Sequence, residues 1–293
     1  MLKRISSSIL YQITALFFLS LLVTIFIVLS ENFLLREQSI ESLTREISDN
    51  QRVLFSKTRE ALSSQMEYYA FDADPGKPSI WKLRGSRSPI AAVRSQNERK
   101  IEIALADHFA KLVENETLDT LIVFDKEGKA LKTFQSQQDQ PLNDEVLTSM
   151  GSALKGYGFS KSVYHGVIAQ GDSLSLIVVF PIYANATVLA YVYYGLAFSR
   201  LSEAFEADSR SAVLVPSFPG AMSDTSRANF KVEGVAQTDR PEVIQLNGRY
   251  YAFSPERVSV GEVNDVKVLF AKDIDETIVL GQQYLNQALI SAT

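Results

Sequence analysis

SLSLIVVFPIYANATVLAYVYYGLAF, residues 173–198, holds two long apolar runs separated by Asn185-Ala186. Runs rich in Val, Ile, Tyr and Phe and bounded by turn residues read as strands. They predict strands over 173–184 and 187–198. SKSVYHGVIAQ (160–170) is a third strand candidate, set off by the turn Gly171-Asp172. Further upstream, LDTLIVFDKEGKALKTF (118–134) reads strand, tight turn, strand, with Gly128 at the position a bulged hairpin turn requires. Between these blocks, about 142–154 has a helical pattern that Gly156 and Gly158 end. SRLSEAFEAD (199–208) is a closing helix. The order helix–strand–strand–helix–strand–strand–strand predicts an antiparallel sheet flanked by helices, an α+β fold.

Working outward, ADPGKPSIWKLRGSRSP (73–89) breaks any helix with its prolines and glycines. Ser88-Pro89 then supplies an N-cap and a first-turn proline. A helix is expected from there to about Glu114, with Ile90, Val93, Ile101, Leu105, Phe109 and Leu112 on one side. Beyond residue 208 the scheme repeats in shorter form. Ser211–Pro216 and Ala228–Val235 are strand candidates, and VIQLNGRYYAFSPERVSV (243–260) forms two strands around the hairpin signal Asn247-Gly248. A strand at Asp265–Ala271 and a helical pattern over Lys272–Leu289 follow.

The N-terminal end has a different character. Ile5–Ser30 is uncharged throughout, and its centre, ALFFLSLLVTIFIVL, is almost entirely Leu, Ile, Val and Phe. About 20 apolar residues at ~1.5 Å each cover the ~30 Å of bilayer hydrocarbon, so this run is long enough to span. It is too long for a signal-peptide core, and VLSENFLLREQ after it lacks a small-residue cleavage pattern, so it reads as a retained anchor. Lys3 and Arg4 before the span, against Glu31 after it, place the N-terminus inside and residues 31–293 outside the membrane, in the periplasm. From Glu31 to Tyr69 there is no Gly or Pro, and Phe33, Ile40, Ile47, Leu54, Ala61 and Tyr68 recur every seven residues. Leu43, Leu62 and Met66 widen that stripe, which predicts a long amphipathic stalk helix. Its other heptad row, Arg36, Leu43, Asn50, Lys57 and Ser64, is mostly polar. Two arrangements fit this pattern: one helix packed on its own domain, or a helix that also pairs with a second copy in a homodimer.

Composition narrows the function classes. With Lys3 and Arg4 set aside, the remaining 27 basic and 34 acidic residues give a net charge of −7, which argues against nucleic acid as a partner. There is no cysteine, which excludes thiol catalysis, zinc–cysteine sites and iron–sulfur clusters, and fits a bacterial exported domain with a core large enough to do without disulfides. His108 and His165 are the two histidines, and no spacing around them suggests a metal. No cofactor is implied. Ser152-Ala-Leu-Lys155 matches S-x-x-K, but the companion S-D-N and K-T-G are missing. The residues point to a protein that is not an enzyme.

These segments carry a family resemblance. LIVFDKEGKALKTF resembles the strand–D-x-x-G–strand opening of extracytoplasmic PAS-like sensor modules, the Cache group. ALKGYGFSKSVYHG (153–166) is similar to the helix end and next strand of that group, and SLSLIVVFPIYANATVLAYVYYGLAFSRL to its central strand pair, with Ala190 where members usually have Gly. NGRYYAFSPERV and VKVLFAKDID resemble the shorter strands of a second module. A double Cache domain implies this organisation: tail and span over 1–30, stalk helix over 31–72, membrane-distal module over 73–208, smaller membrane-proximal module over 209–275, and a helix over 276–293 leading toward a second span. It implies the input half of a bacterial inner-membrane receptor, whose output is chemoreceptor signalling, a histidine kinase or a nucleotide cyclase.

The same resemblance places a small-molecule pocket in the distal module. The matching segments are rich in aromatic residues with polar tips: Tyr157, Tyr164, His165, Tyr183, Tyr191, Tyr193 and Tyr194. Aromatic walls with a few hydrogen-bonding tips suit a small ligand. Alternation puts Tyr191 and Tyr193 on one strand face and Tyr194 on the other, so some of this set are core or surface. The ligand candidates are therefore Tyr157, Tyr164, His165, Tyr183, Tyr191 and Tyr193. Two other functions fit the residues: an anchored binding or scaffolding protein without cytoplasmic output, and an anchored hydrolase.

Overall fold

A computed structural model describes residues 2–72, 80–82, 85, 88–136, 142, 146–148, 150–152, 163–184, 187–231, 239–261, 264–281 and 283. Helix α1 (Leu2–Asp72) contains no Gly or Pro, so no residue in it carries the ~1–3 kcal/mol helix penalty of those two types. The chain divides into two units, Met1–Ile47 and Ser48–Thr293. In the first, Leu16, Phe17, Phe26 and their neighbours are exposed, and this is the one helix among the described residues long and apolar enough to cross a membrane.

The second unit is α+β, as the sequence pattern predicts. It contains α2 (Pro89–Arg94), α3 (Glu98–Glu114), β1 (Thr120–Asp125), β2 (Ala130–Gln135), β3 (Tyr164–Gln170), β4 (Ser173–Ala184), β5 (Thr187–Ala197), α4 (Phe198–Ser209), β6 (Ser211–Leu214), α5 (Asp224–Asn229), β7 (Glu242–Leu246), β8 (Arg249–Val260) and β9 (Asn264–Asp273). Strands β2-β1-β5-β4-β3 form one antiparallel sheet and β6-β9-β8-β7 a second. Backbone bonds from Gly261 N to Val167 O and from Gly220 N to Asp172 O, both 3.0 Å, tie the second sheet and its flanking turn to the β3–β4 hairpin.

The turns follow their residues. Gly128 (φ +82°) sits in the β1–β2 turn, and Asn247 and Gly248 are both left-handed, as a two-residue hairpin with matching twist requires. The Ser88 side chain caps α2 by accepting from Ala91 N. The helix expected to run from there to Glu114 is two helices. Gln96 turns left-handed (φ +51°), and the Asn97 side chain accepts from Lys100 N to start α3 afresh. Nor is Ala228–Val235 a strand at its start. Ser223 caps α5, which runs through Ala228 and Asn229 because the Ser side chain satisfies Ser226 N. The remainder, 232–235, lies outside the described residues. Within 142–154, residues 146–148 and 150–152 are helical, and helix resumes at 275–281 after β9.

On α1 the buried row of the second unit is Ser48, Gln51, Phe55, Ser63, Met66 and Ala70, while Ala61 and Tyr68 of the expected heptad row are exposed. The partner surface decides this. The Phe55 ring packs 5.0 Å from Phe270 of β9, and 5.5 and 6.2 Å from Phe205 and Phe198 of α4. A phenylalanine buried among aromatic rings outweighs the heptad pattern, since its burial is worth roughly 1.5–3 kcal/mol. This quartet belongs to one core that also takes in Leu105 and Leu112 of α3, Val178 and Phe180 of β4, Val192 of β5 and Val268 of β9. Glu206 of α4 fastens the junction between the sheets. Its carboxylate accepts from Val213 N at 2.9 Å and from the hydroxyls of Ser223 and Ser226, each at 2.6 Å.

Candidate ligand-binding site

The five-stranded sheet has two faces of different chemistry. Register pairs Leu121 with Tyr194, Val123 with Val192 and Phe180 with Val192, which puts these side chains on the face covered by the main core. Register also pairs Ile122 with Tyr193, Phe124 with Tyr191 and Tyr164 with Val179, on the opposite face. There a separate cluster forms from Ile122, Phe124, Met150, Ile177, Val179 and Tyr193, with Leu142, Val146, Leu147, Tyr164, Ile168 and Tyr191 packed against it.

Two glycines shape this second face. Gly166 and Gly195 flank Ile177 in one row across β3, β4 and β5. A Cβ on Gly166 would lie 2.7 Å from the Tyr164 ring, and one on Gly195 would lie 2.8 Å from the Tyr193 ring. Both tyrosines therefore lie flat over a glycine two residues along their own strand. The Tyr193 hydroxyl is thereby carried to the Gln170 amide, 3.5 Å away, and Gln170 Oε1 accepts from the Ser175 hydroxyl at 2.9 Å. Tyr193 is 1% exposed, and burial pushes its hydroxyl's pKa well above the usual tyrosine value, so it stays a neutral O–H that can donate and accept.

The helical residues 146–148 and 150–152 cover this face, and backbone sets their distance. Gly151 meets the β1–β2 turn at Gly128 so closely that a Cβ on Gly151 would fall 1.8 Å from Gly128 O. Gln135 Oε1 accepts from Leu142 N at 3.1 Å and secures the start of the segment. The tyrosine rings thus lie in an apolar cluster under a segment held at backbone contact.

The sequence-predicted residues separate. Tyr164, Tyr191 and Tyr193 share this face. His165 does not, because one step along β3 reverses the side chain; its Nε2 lies 2.9 Å from Glu67 Oε2 of α1. Tyr183 lies beyond a register shift near the end of β4 and is 38% exposed. Tyr157 lies outside the described residues. Gln170 and Ser175 were missed by looking for aromatic residues alone, although the parity of Tyr164 along β3 reaches Gln170 and the register of β3 with β4 pairs Ser175 with Ile168 on the same face.

Tyr194 belongs to the opposite face and is also buried. Its hydroxyl lies 3.1 Å from His108 Nε2 of α3, with Trp81 as a further hydrogen-bonding neighbour. Burial, reinforced by the charge of Lys111, lowers the His108 pKa to about 4, so the ring is neutral at pH 7. This is a satisfied core histidine. Among the described residues, no group of three His, Cys, Asp or Glu side chains could hold a metal ion.

The fold is similar to solved receptor sensory domains. One is the extracellular domain of a proposed histidine kinase: 10% identity, TM-score 0.46, covering 80% of this chain and 94% of that one. Another is the ligand-binding domain of a Campylobacter jejuni chemoreceptor in complex with L-norvaline: 9% identity, TM-score 0.44, 80% and 92% covered. A third is that of a Pseudomonas fluorescens chemoreceptor in complex with L-isoleucine: 11% identity, TM-score 0.43, 82% and 96% covered. No family model matches the sequence, and no curated protein does.

Proposed function

We propose that this chain is the extracytoplasmic input region of a bacterial transmembrane receptor of the double Cache type, and that it binds a small molecule on the capped tyrosine face of the five-stranded sheet. On this reading residues 73–208 are the membrane-distal module, 209–275 the membrane-proximal one, and 276–293 lead toward a second membrane helix. Residues 1–30 anchor the chain in the inner membrane, and residues 31–293 are periplasmic. The exposed row of α1 that includes Ala61 and Tyr68 is the homodimer contact. The chain itself is not catalytic.

One observation carries the site. The rings of Tyr164 and Tyr193 each lie on a glycine of their own strand, on either side of β4, and the segment that packs on this face meets the β1–β2 turn with no room for a side chain. An apolar floor with three hydrogen-bonding tips fixes the orientation of a small ligand, and a cap that touches both floor and ligand can report occupancy. The periodic apolar helix, the antiparallel sheets and the D-x-x-G hairpin at Asp125–Gly128 support the receptor assignment.

The test is a thermal-shift screen of the full chain in detergent micelles against small metabolites, since a ligand that binds the native state raises the melting temperature. A hit is expected to lose affinity in Tyr193→Phe and in Ser175→Ala, and to keep it in Tyr183→Ala. A hit whose affinity ignores the first two substitutions and falls in the third refutes the site.

A further inference from the structure

The second sheet has a cleft of its own. It measures about 420 Å³ and is lined by Arg52 of α1, Asp239, and Pro255, Glu256, Arg257 and Lys267 of β8 and β9. Arg257 and Lys267 are direct register partners, so they stand side by side on one face of the sheet. Arg52 Nε lies 2.6 Å from Glu256 Oε2, and Lys267 Nζ lies 2.5 Å from Asp239 Oδ1. The Lys267 hydrogen bond, with the nearby charge of Arg257 as a smaller cause, holds the Asp239 carboxyl below its ordinary range. Two of the three cations are therefore matched by carboxylates. Arg257 is exposed and has no carboxylate within ion-pair distance among the described residues.

A guanidinium with no carboxylate partner among the described residues, at a concave site in a chain of net charge −5, is the chemistry of an anion contact. Its planar fork matches two oxygens of one carboxylate. Asp239 and Glu256 in the walls oppose a second negative charge, which disfavours a phosphate dianion. The volume falls at the lower end of the roughly 300–1,000 Å³ typical of small-molecule sites. We propose that this cleft binds a small organic monocarboxylate, with Arg257 as its anchor and Lys267 as the second donor. Arg52 is the one lining residue that α1 contributes. A carboxylate held by Arg257 and Lys267 makes the cleft a second binding site, distinct from the tyrosine face.

The experiment titrates the full chain in detergent micelles with sodium propionate, lactate and benzoate at constant ionic strength, with sodium phosphate as comparison, following the melting temperature. At least one carboxylate is expected to give a saturable rise. Arg257→Gln should weaken its apparent affinity at least tenfold. Asp239→Asn should strengthen it, because a negative charge is removed from the wall of the cleft. Tyr193→Phe should leave it unchanged, which separates this cleft from the tyrosine face. Arg257 is exposed, so its substitution leaves the fold in place. Absence of a saturable response to all three carboxylates overturns the proposal, and so does a response that Arg257→Gln leaves intact. Phosphate binding as tightly as the best carboxylate overturns the monocarboxylate assignment.

Discussion

The two faces of the five-stranded sheet are made from the same strands, one residue out of phase, yet they solve different problems. The face bearing Val123, Phe180, Val192 and Tyr194 is sealed by α1, α2 and α3, and its polar groups pair within the core, as His108 does with Tyr194. The face bearing Ile122, Tyr164, Tyr191 and Tyr193 is covered, among the described residues, by a short helical segment, and its Tyr193 hydroxyl reaches Gln170, which takes the Ser175 hydroxyl. The contrast teaches that a buried tyrosine is not informative by itself. What covers it, and which elements supply the partner of its hydroxyl, distinguishes the two faces.

The comparison can be broken first on the sealed face. Phe180→Ala is expected to cost about 3–5 kcal/mol, because Phe180 is buried against Trp81 and Tyr194 with no room for collapse. Chemical denaturation would measure it, and a loss below ~1 kcal/mol would mean that this face is not the scaffold.

His108 comes next. Its folded pKa of about 4 lies below the ordinary 6.5, so between those values the unfolded chain binds more protons than the folded one. The stability this contributes is fully present above pH 6.5 and is lost as pH falls toward 4, by up to about 3 kcal/mol over that window. His108→Gln should flatten this part of the stability–pH curve relative to wild type.

On the capped face, Gly151→Ala forces a Cβ into Gly128 O and must push the cap outward. A destabilisation of about 1–3 kcal/mol is expected from such overpacking, with a larger relative loss of ligand affinity than of stability. Equal losses would make the cap purely structural. The smallest stability effect belongs to Tyr193→Phe. Its hydroxyl accepts a long bond from Gln170 Nε2, so the fold should lose about 1 kcal/mol or less by denaturation while the site loses a hydroxyl.

The strands and their turns were legible because the signals are local. The apolar alternation of 173–198, Gly128 and Asn247-Gly248 each dictate a backbone conformation without help from distant residues. On the α1 stripe Met66 is buried and Leu54 and Leu62 pack on the core as the pattern suggests, but Ala61 and Tyr68 are exposed, because Ser48, Gln51 and Ser63 are buried by what packs on them and nothing in their own chemistry requests it. The break at Gln96 was missed because neither Gly nor Pro marks it; Asn97 as a cap was the available sign. Of the six ligand candidates, parity alone could have set His165 apart from Tyr164. The pairing of Gly166 with Tyr164 and of Gly195 with Tyr193 was also present in the sequence as Tyr-x-Gly, twice, on strands that β4 separates.

The quartet Phe55, Phe198, Phe205 and Phe270 has a consequence for cooperativity. These rings interlock a segment of α1, the helix leaving β5, and the middle strand β9, so neither sheet can open its amides to solvent without disturbing the same aromatic contacts. The two sheets should then exchange backbone hydrogens as one unit with a shared opening free energy. Occupancy on either sheet would be recorded as slowed exchange on the other.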